Sequence, residues 1–185
     1  MRRFLPRFRW RENSGSAAIE FAMIAPVFLL LLFAILETSS VFYAEMILDN
    51  AVLKNARLIR TGQAQNQNMT QAAFRDAVCT SIQMLLPCSG QASDKLIVDV
   101  RSFTNFGTSS FPQALDAQGN LNANLNSYQP GGSSQATGQN PTVLVRVMYI
   151  WQLYTPMFAQ YYENMGKGSG KRLIAFSAAF KNEPF

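Results

Sequence analysis

The sequence predicts an α+β fold: a long N-terminal transmembrane helix that continues into an outer domain with a second helix and a small antiparallel sheet. Three observations lead there. Residues 17–36 form an apolar run with one ionisable group, Glu20. Beyond it Val41, Ala44, Leu48, Val52, Ala56 and Ile59 recur at three- and four-residue steps, the spacing of one helix face. Further on, 96–103, 143–151 and 173–180 read as strands, the second β-branched and aromatic throughout. The segments follow: a basic leader at 1–15, a transmembrane and extended helix at 16–62, and an α+β domain at 63–185.

Composition narrows the chemistry. Of 185 residues, 48% are hydrophobic and 15% charged, against about a quarter charged in soluble domains. Histidine is absent, which removes Ser-His and Cys-His nucleophile systems, imidazole metal sites and histidine general bases. Two cysteines cannot by themselves build a thiolate zinc site. No catalytic residue, metal ligand or cofactor is therefore expected. Basic charge is concentrated at the start, where Arg2, Arg3, Arg7, Arg9 and Arg11 stand against Glu12. The remaining 11 basic and 10 acidic side chains nearly cancel. A nucleic-acid partner would call for a basic stripe with interleaved aromatics across a domain, and the body has none.

As a helix, 17–36 would be about 30 Å long, the thickness of a bilayer's hydrocarbon core. The arginines immediately before it place 1–15 in the cytoplasm by the positive-inside rule, with the rest of the chain outside the inner membrane. A cleaved secretory signal would be shorter and end in a small-x-small site. Here the run passes into Glu37, Thr38, Ser39 and Ser40, where no such site is convincing. Arg2 and Arg3 resemble a twin-arginine pair only weakly. The helix is expected to run on for about 40 residues in all, ~60 Å, half in lipid. Gly62 is a plausible stop, and Pro26, which removes a backbone donor, predicts a kink. The apolar stripe from Val41 to Ile59 reads as the surface on which a small domain packs, not as a ligand groove.

Glu20 is the informative residue. A carboxylate near the start of a spanning helix costs about 1–3 kcal/mol. One reading is that it snorkels to the headgroups. The other uses its distance from Gly15. A cut after Gly15 would make Ser16 a new N-terminus and Glu20 the fifth residue, in the first helical turn, where a negative charge suits the helix dipole. In a packed array it could also neutralise a neighbour's α-ammonium inside an apolar bundle, where an unpaired charge is expensive.

Gly15-Ser16-Ala17-Ala18-Ile19-Glu20-Phe21 resembles the class III signal of Flp-type pilins and pseudopilins: a glycine, four residues, then Glu-Phe or Glu-Tyr. Extended through Ala22 and Met23 to Pro26, the pattern is similar to the TadE-like family of tight-adherence (Tad) pilus proteins. The tail Asn182-Glu183-Pro184-Phe185, after an alternating apolar strand, resembles many TadE-like ends. The resemblance is strongest over 15–62 and 143–185. It implies a pilin-like periplasmic domain and removal of the leader by a prepilin peptidase. On this reading Gly15 and Ser16 form the cleavage site, Glu20 serves processing or assembly, and Phe21 completes the recognition pattern.

In the outer domain, Asn68 with Gln71 suggests a capping box opening a second helix, with Phe74, Val78, Ile82 and Leu85 inward and Pro87 as its end. Cys79 and Cys88 would be structural thiols in a cytoplasm; in an oxidising periplasm they suit a small-loop disulfide. A straight helix would hold their Cα atoms ~13 Å apart, so the bond requires the helix to loosen before Pro87. Residues 104–141, rich in Asn, Gln, Ser and Gly with Pro130-Gly131-Gly132, read as a long irregular loop, and Leu121, Ala123 and Leu125 as a short edge strand within it. Three or four strands packed on the outer half of the long helix is the economical architecture. The run from Gly166 to Arg172 only imitates a phosphate loop: Met165 stands where the first glycine belongs, and Arg172 where Ser or Thr should hold magnesium. Tyr149, Trp151, Tyr154, Phe158, Tyr161 and Tyr162 read as packing or interfacial anchors rather than a stacking platform.

The expected function is that of a minor pseudopilin-like protein of a Tad pilus assembly system, in the bacterial inner membrane with the N-terminus cytoplasmic. Its expected partners are the lipid bilayer, a prepilin peptidase, other pilin or pseudopilin subunits and the Tad secretion machinery, with no nucleic acid and no small-molecule substrate. The alternative is an uncleaved, single-pass anchored assembly factor. An anchored enzyme is disfavoured, because Asp94, Asp99, Asp116 and Glu163 are the obvious carboxylates beyond residue 90 and no spacing unites a pair.

Overall fold

The computed structural model describes residues 14–131 and 140–184. The leader arginines, Gly132 and Phe185 lie outside the described residues. Between Leu36 and Glu37 the chain divides into two compact units. Helix α1 (Ser14–Arg60, 47 residues) stays helical through Pro26. At the expected stop, Gly62 takes φ 76°, a left-handed conformation open to glycine because it has no Cβ. Its N–H donates to the Ile59 carbonyl at 3.1 Å. The polar run that follows folds into one short helix, α2 (Gln63–Asn66).

Helix α3 (Gln71–Ile82) starts and ends differently from the sequence reading. Its cap is Thr70, whose hydroxyl accepts the Ala73 N–H at 3.2 Å. An N-cap needs extended backbone, which Thr70 has, whereas Asn68 sits at φ 49°. Gln71 closes no capping box; its amide donates to the Val98 carbonyl and to Asn126 Oδ1. The helix unwinds after Ile82, well before Pro87. Leu86 is consequently buried in the row with Phe74, Val78 and Ile82, while Leu85 is 39% exposed.

That unwinding lets Cys79 and Cys88 meet. They form a disulfide with their Cα atoms 5.7 Å apart. Closing this short loop contributes about 2–3 kcal/mol through the unfolded state. Reduction is expected to lower the unfolding free energy by that amount, measured by denaturant titration with and without reductant, and the unreduced protein should titrate no thiols.

Strands β1 (Leu96–Phe103), β2 (Thr142–Gln152) and β3 (Lys171–Lys181) form an antiparallel sheet in the order β1-β2-β3. One face, including Val98, Val100, Val145, Val147 and Ile174, packs on α1 and α3. All six periodic residues of α1 from Val41 to Ile59 are at most 5% exposed. The second face is covered by the polar loop, through Leu125 against Met148 and Leu173, with Leu115 and Leu121 beside them. Residues 104–131 of the loop are irregular over most of their length, and they form a layer of the core.

Leu121 and Leu125 do not belong to a fourth strand. Asp116 accepts the Gln118 and Asn120 N–H groups, and this tight turn folds Leu121 back onto Leu115 in an isolated bridge. The free edge of β1 is instead met by the backbone at Ser127 and Gln129, which bonds Val100 at 2.8 Å on both sides, a cover that blocks edge-to-edge pairing. The connection between β2 and β3 holds a helix that the sequence reading missed, α4 (Pro156–Tyr162). The C-terminal tail is tied to the end of α1, where the Glu183 N–H donates to the Arg60 carbonyl and the two side chains pair at 2.8 Å.

Candidate functional site

The first unit presents its motif openly. Gly15, Ser16, Glu20 and Phe21 are all exposed, and the Ser16 hydroxyl donates to Glu20 Oε1 at 3.0 Å. Residues four apart share a helix face, so the bond between Gly15 and Ser16 lies one turn from the carboxylate. A Cβ added at Gly15 would meet nothing within 4 Å. Glycine in a helix costs roughly 0.5–1 kcal/mol relative to alanine, and nothing within the fold uses its missing side chain. Farther along, Ile19, Phe21, Met23, Ile24, Val27 and Phe28 are 60–73% exposed. Apolar side chains all round a helix suit lipid or other helices, not water. Among the described residues, α1 holds the one helix long and apolar enough to cross a membrane, which fits a single-pass anchor.

In the second unit, the charged residue nearest that apolar run is built into the fold. Glu37 is 8% exposed, and its carboxylate accepts the Tyr154 N–H at 2.7 Å and the Thr155 N–H at 3.0 Å. One residue on, Thr38 shares a 2.9 Å hydrogen bond with the Tyr162 hydroxyl. The start and end of α4 are thus fastened to neighbouring residues of α1. Sequence reasoning missed this role, although a signal was present: Glu37 continues the buried stripe, four residues before Val41 and seven before Ala44. A carboxylate on a core face needs partners. Hydrogen bonds to a charged acceptor are worth about 1.5–3 kcal/mol each. Glu37→Ala should therefore ease local opening of the α4 connection by up to about 3–6 kcal/mol, measured as faster amide exchange at Tyr154 and Thr155.

Of the remaining carboxylates, Asp116 and Glu163 border one shallow cavity, but each is taken up by backbone N–H groups of its own turn. Asp99 is fully buried between Arg146 (2.8 Å) and Arg101 (2.9 Å). Arg146 also donates to the Pro112 carbonyl and stacks over Phe111 at 4.3 Å, and Arg101 donates to the Asn124 carbonyl. These arginines fasten the polar loop to the sheet. Asp94 accepts from Ser93, and Asp116 holds its turn.

Glu163 fills the glycine-rich loop that imitates a phosphate site. Gly166, Gly168 and Gly170 adopt φ 81°, 77° and 60°, and the Gly168 and Gly170 N–H groups donate to the Glu163 carboxylate at 2.7 and 3.0 Å. Those donors, Gly168 first, hold the Glu163 carboxyl below its ordinary 4.5. A depressed carboxylate stabilises above its unfolded value, and that contribution is lost as pH falls through the lower folded value. The loop should stay ordered down to the ordinary carboxylate range and loosen below it, seen as accelerating exchange of the Gly168 and Gly170 amides.

The aromatic cluster divides. Tyr149 and Trp151 are buried, the Tyr149 hydroxyl donates to the Pro87 carbonyl at 2.9 Å, and burial pushes that phenol up to about 12. Tyr154 and Tyr161 are 77% and 76% exposed.

Comparison with curated proteins and with solved structures finds no match. A family model described as TadE-like protein matches residues 15–57. The match begins at the glycine of the motif and extends along α1 into the buried stripe. The N-terminal helical segment of this chain is similar to that of TadE-like proteins.

Proposed function

We propose that the protein is a minor pseudopilin-like subunit of a Tad pilus assembly system, anchored in the bacterial inner membrane and cleaved after Gly15. The family suggests a Tad pilus-associated protein. The finer reading is supported by one observation above the others: a solvent-exposed Gly15, without a packing role, placed one turn before an exposed Glu20 on an apolar helix. A peptidase that recognises the backbone beside a residue without a side chain explains the glycine. An assembly in which α1 packs against other pilin-like helices explains why so much apolar surface is left uncovered, since leaving lipid is tolerable only if that surface is reburied. Residues 37–184 then lie on the periplasmic side, where a disulfide is stable.

Mass determination of the membrane-extracted chain tests the proposal. The expected mature form begins at Ser16. An intact leader would overturn cleavage and leave an uncleaved single-pass anchor whose folded body binds other pilus components.

A further inference from the structure

The residues that enter α4, and the hydroxyl of Tyr162 at its end, meet the first residues of α1 beyond the apolar run. Tyr154 and Thr155 are bonded to Glu37, and Tyr162 to Thr38. Along a helix, Glu37 and Thr38 rise only about 3 Å past Leu36. Met157 and Tyr161 lie one helical turn apart, and with Tyr154 they turn large side chains outward at 58%, 76% and 77% exposure. Ala159, on the opposite side of α4, is buried. On α1 itself Phe42 and Tyr43 are 64% and 54% exposed. Lys167 borders the groove that Gln160 and Tyr161 line.

The headgroup layer adds roughly 5–8 Å beyond the hydrocarbon on each side of a bilayer. Side chains with an apolar body and a polar tip concentrate there, tyrosine among them. We propose that α4 is an interfacial foot: Tyr154, Met157 and Tyr161 insert into the headgroup region of the lipid bilayer and set the depth at which α1 is held. Glu37 positions the foot through the backbone, so the carboxylate that ends the apolar run also carries the segment that rests on the lipid. The inference rests on reading 17–36 as the membrane span.

The full-length chain offers a clean test, because Cys79 and Cys88 are bonded to each other and leave an added cysteine as the sole labelling site. Phe28→Cys, Met157→Cys, Tyr161→Cys and Ala179→Cys, each at an exposed position, are spin-labelled and reconstituted in phosphatidylethanolamine and phosphatidylglycerol vesicles. Collision with oxygen and with a water-soluble nickel chelate is then measured by power saturation. At 157 and 161 the ratio of oxygen to nickel accessibility should exceed that at 179 several-fold, yet stay below that at 28. Nickel accessibility at 157 and 161 equal to that at 179, with 28 shielded, overturns the foot and leaves the span intact. Low collision with both reagents at 157 and 161 also overturns it, because that pattern marks a protein contact. Nickel access at 28 overturns the membrane reading itself, and the foot with it.

Discussion

Asp99→Ala is expected to destabilise the folded body by about 3–5 kcal/mol, the range seen when one member of a buried ion pair is removed. Asp99 is completely buried, and the side chain of its partner Arg146 is only 10% exposed. The alanine variant leaves that guanidinium inside the protein with a carbonyl and an aromatic ring but no counter-charge. The damage should be directional as well. Arg146 and Arg101 reach Pro112 and Asn124 in the covering loop, so the loop should lift from the second face of the sheet before the sheet itself separates from α1 and α3. Urea titration of the full-length protein in detergent reports the global loss, and protease cutting within 104–131 reports the local one. Asp99→Asn retains shape and an acceptor and should fall between the two. An unchanged midpoint for Asp99→Ala would show that the cluster does not secure the loop.

Glu20→Ala is expected to have the largest functional effect: loss of the mature form, or loss of surface fibres with processing intact. It should also improve membrane partition, because removing a carboxylate from the start of an apolar helix relieves about 1–3 kcal/mol. The two outcomes separate the roles. If the leader remains, Glu20 belongs to peptidase recognition. If the chain is trimmed and fibres fail, the carboxylate is needed after cleavage, opposite the α-ammonium that trimming creates. Glu20→Gln keeps the size and a hydrogen-bonding oxygen for the Ser16 hydroxyl, so a defect shared by both variants assigns the effect to charge. Normal processing and normal fibres in Glu20→Ala would remove this residue from the proposal.

How far these features were legible depends on whether their cause is local. The strand limits were readable to within about two residues because β-branched and aromatic runs announce themselves. The buried stripe of α1 was readable because a helix repeats its faces. The cap of α3 was misread at Asn68 because several polar residues precede the helix, and backbone conformation, not residue type, selected Thr70. The covering role of the polar loop left one trace: from Val143 to Trp151, β2 is apolar on both faces, as a doubly covered strand must be, apart from Arg146. Its partner Asp99 could be matched only through the strand register.

The amino-acid order by itself determined the long apolar helix, the motif around Gly15 and Glu20, and the three strands, since each follows from composition or periodicity within a short window. Only the tertiary structure decided that Glu37 binds the backbone entering α4, that Glu163 fills the glycine-rich turn, and that Asp99 holds the loop over the sheet. Two of these join charges to groups far away in the chain, and the third depends on backbone angles within a turn. Burial makes such partners obligatory without naming them, and the fold names them by bringing them within reach.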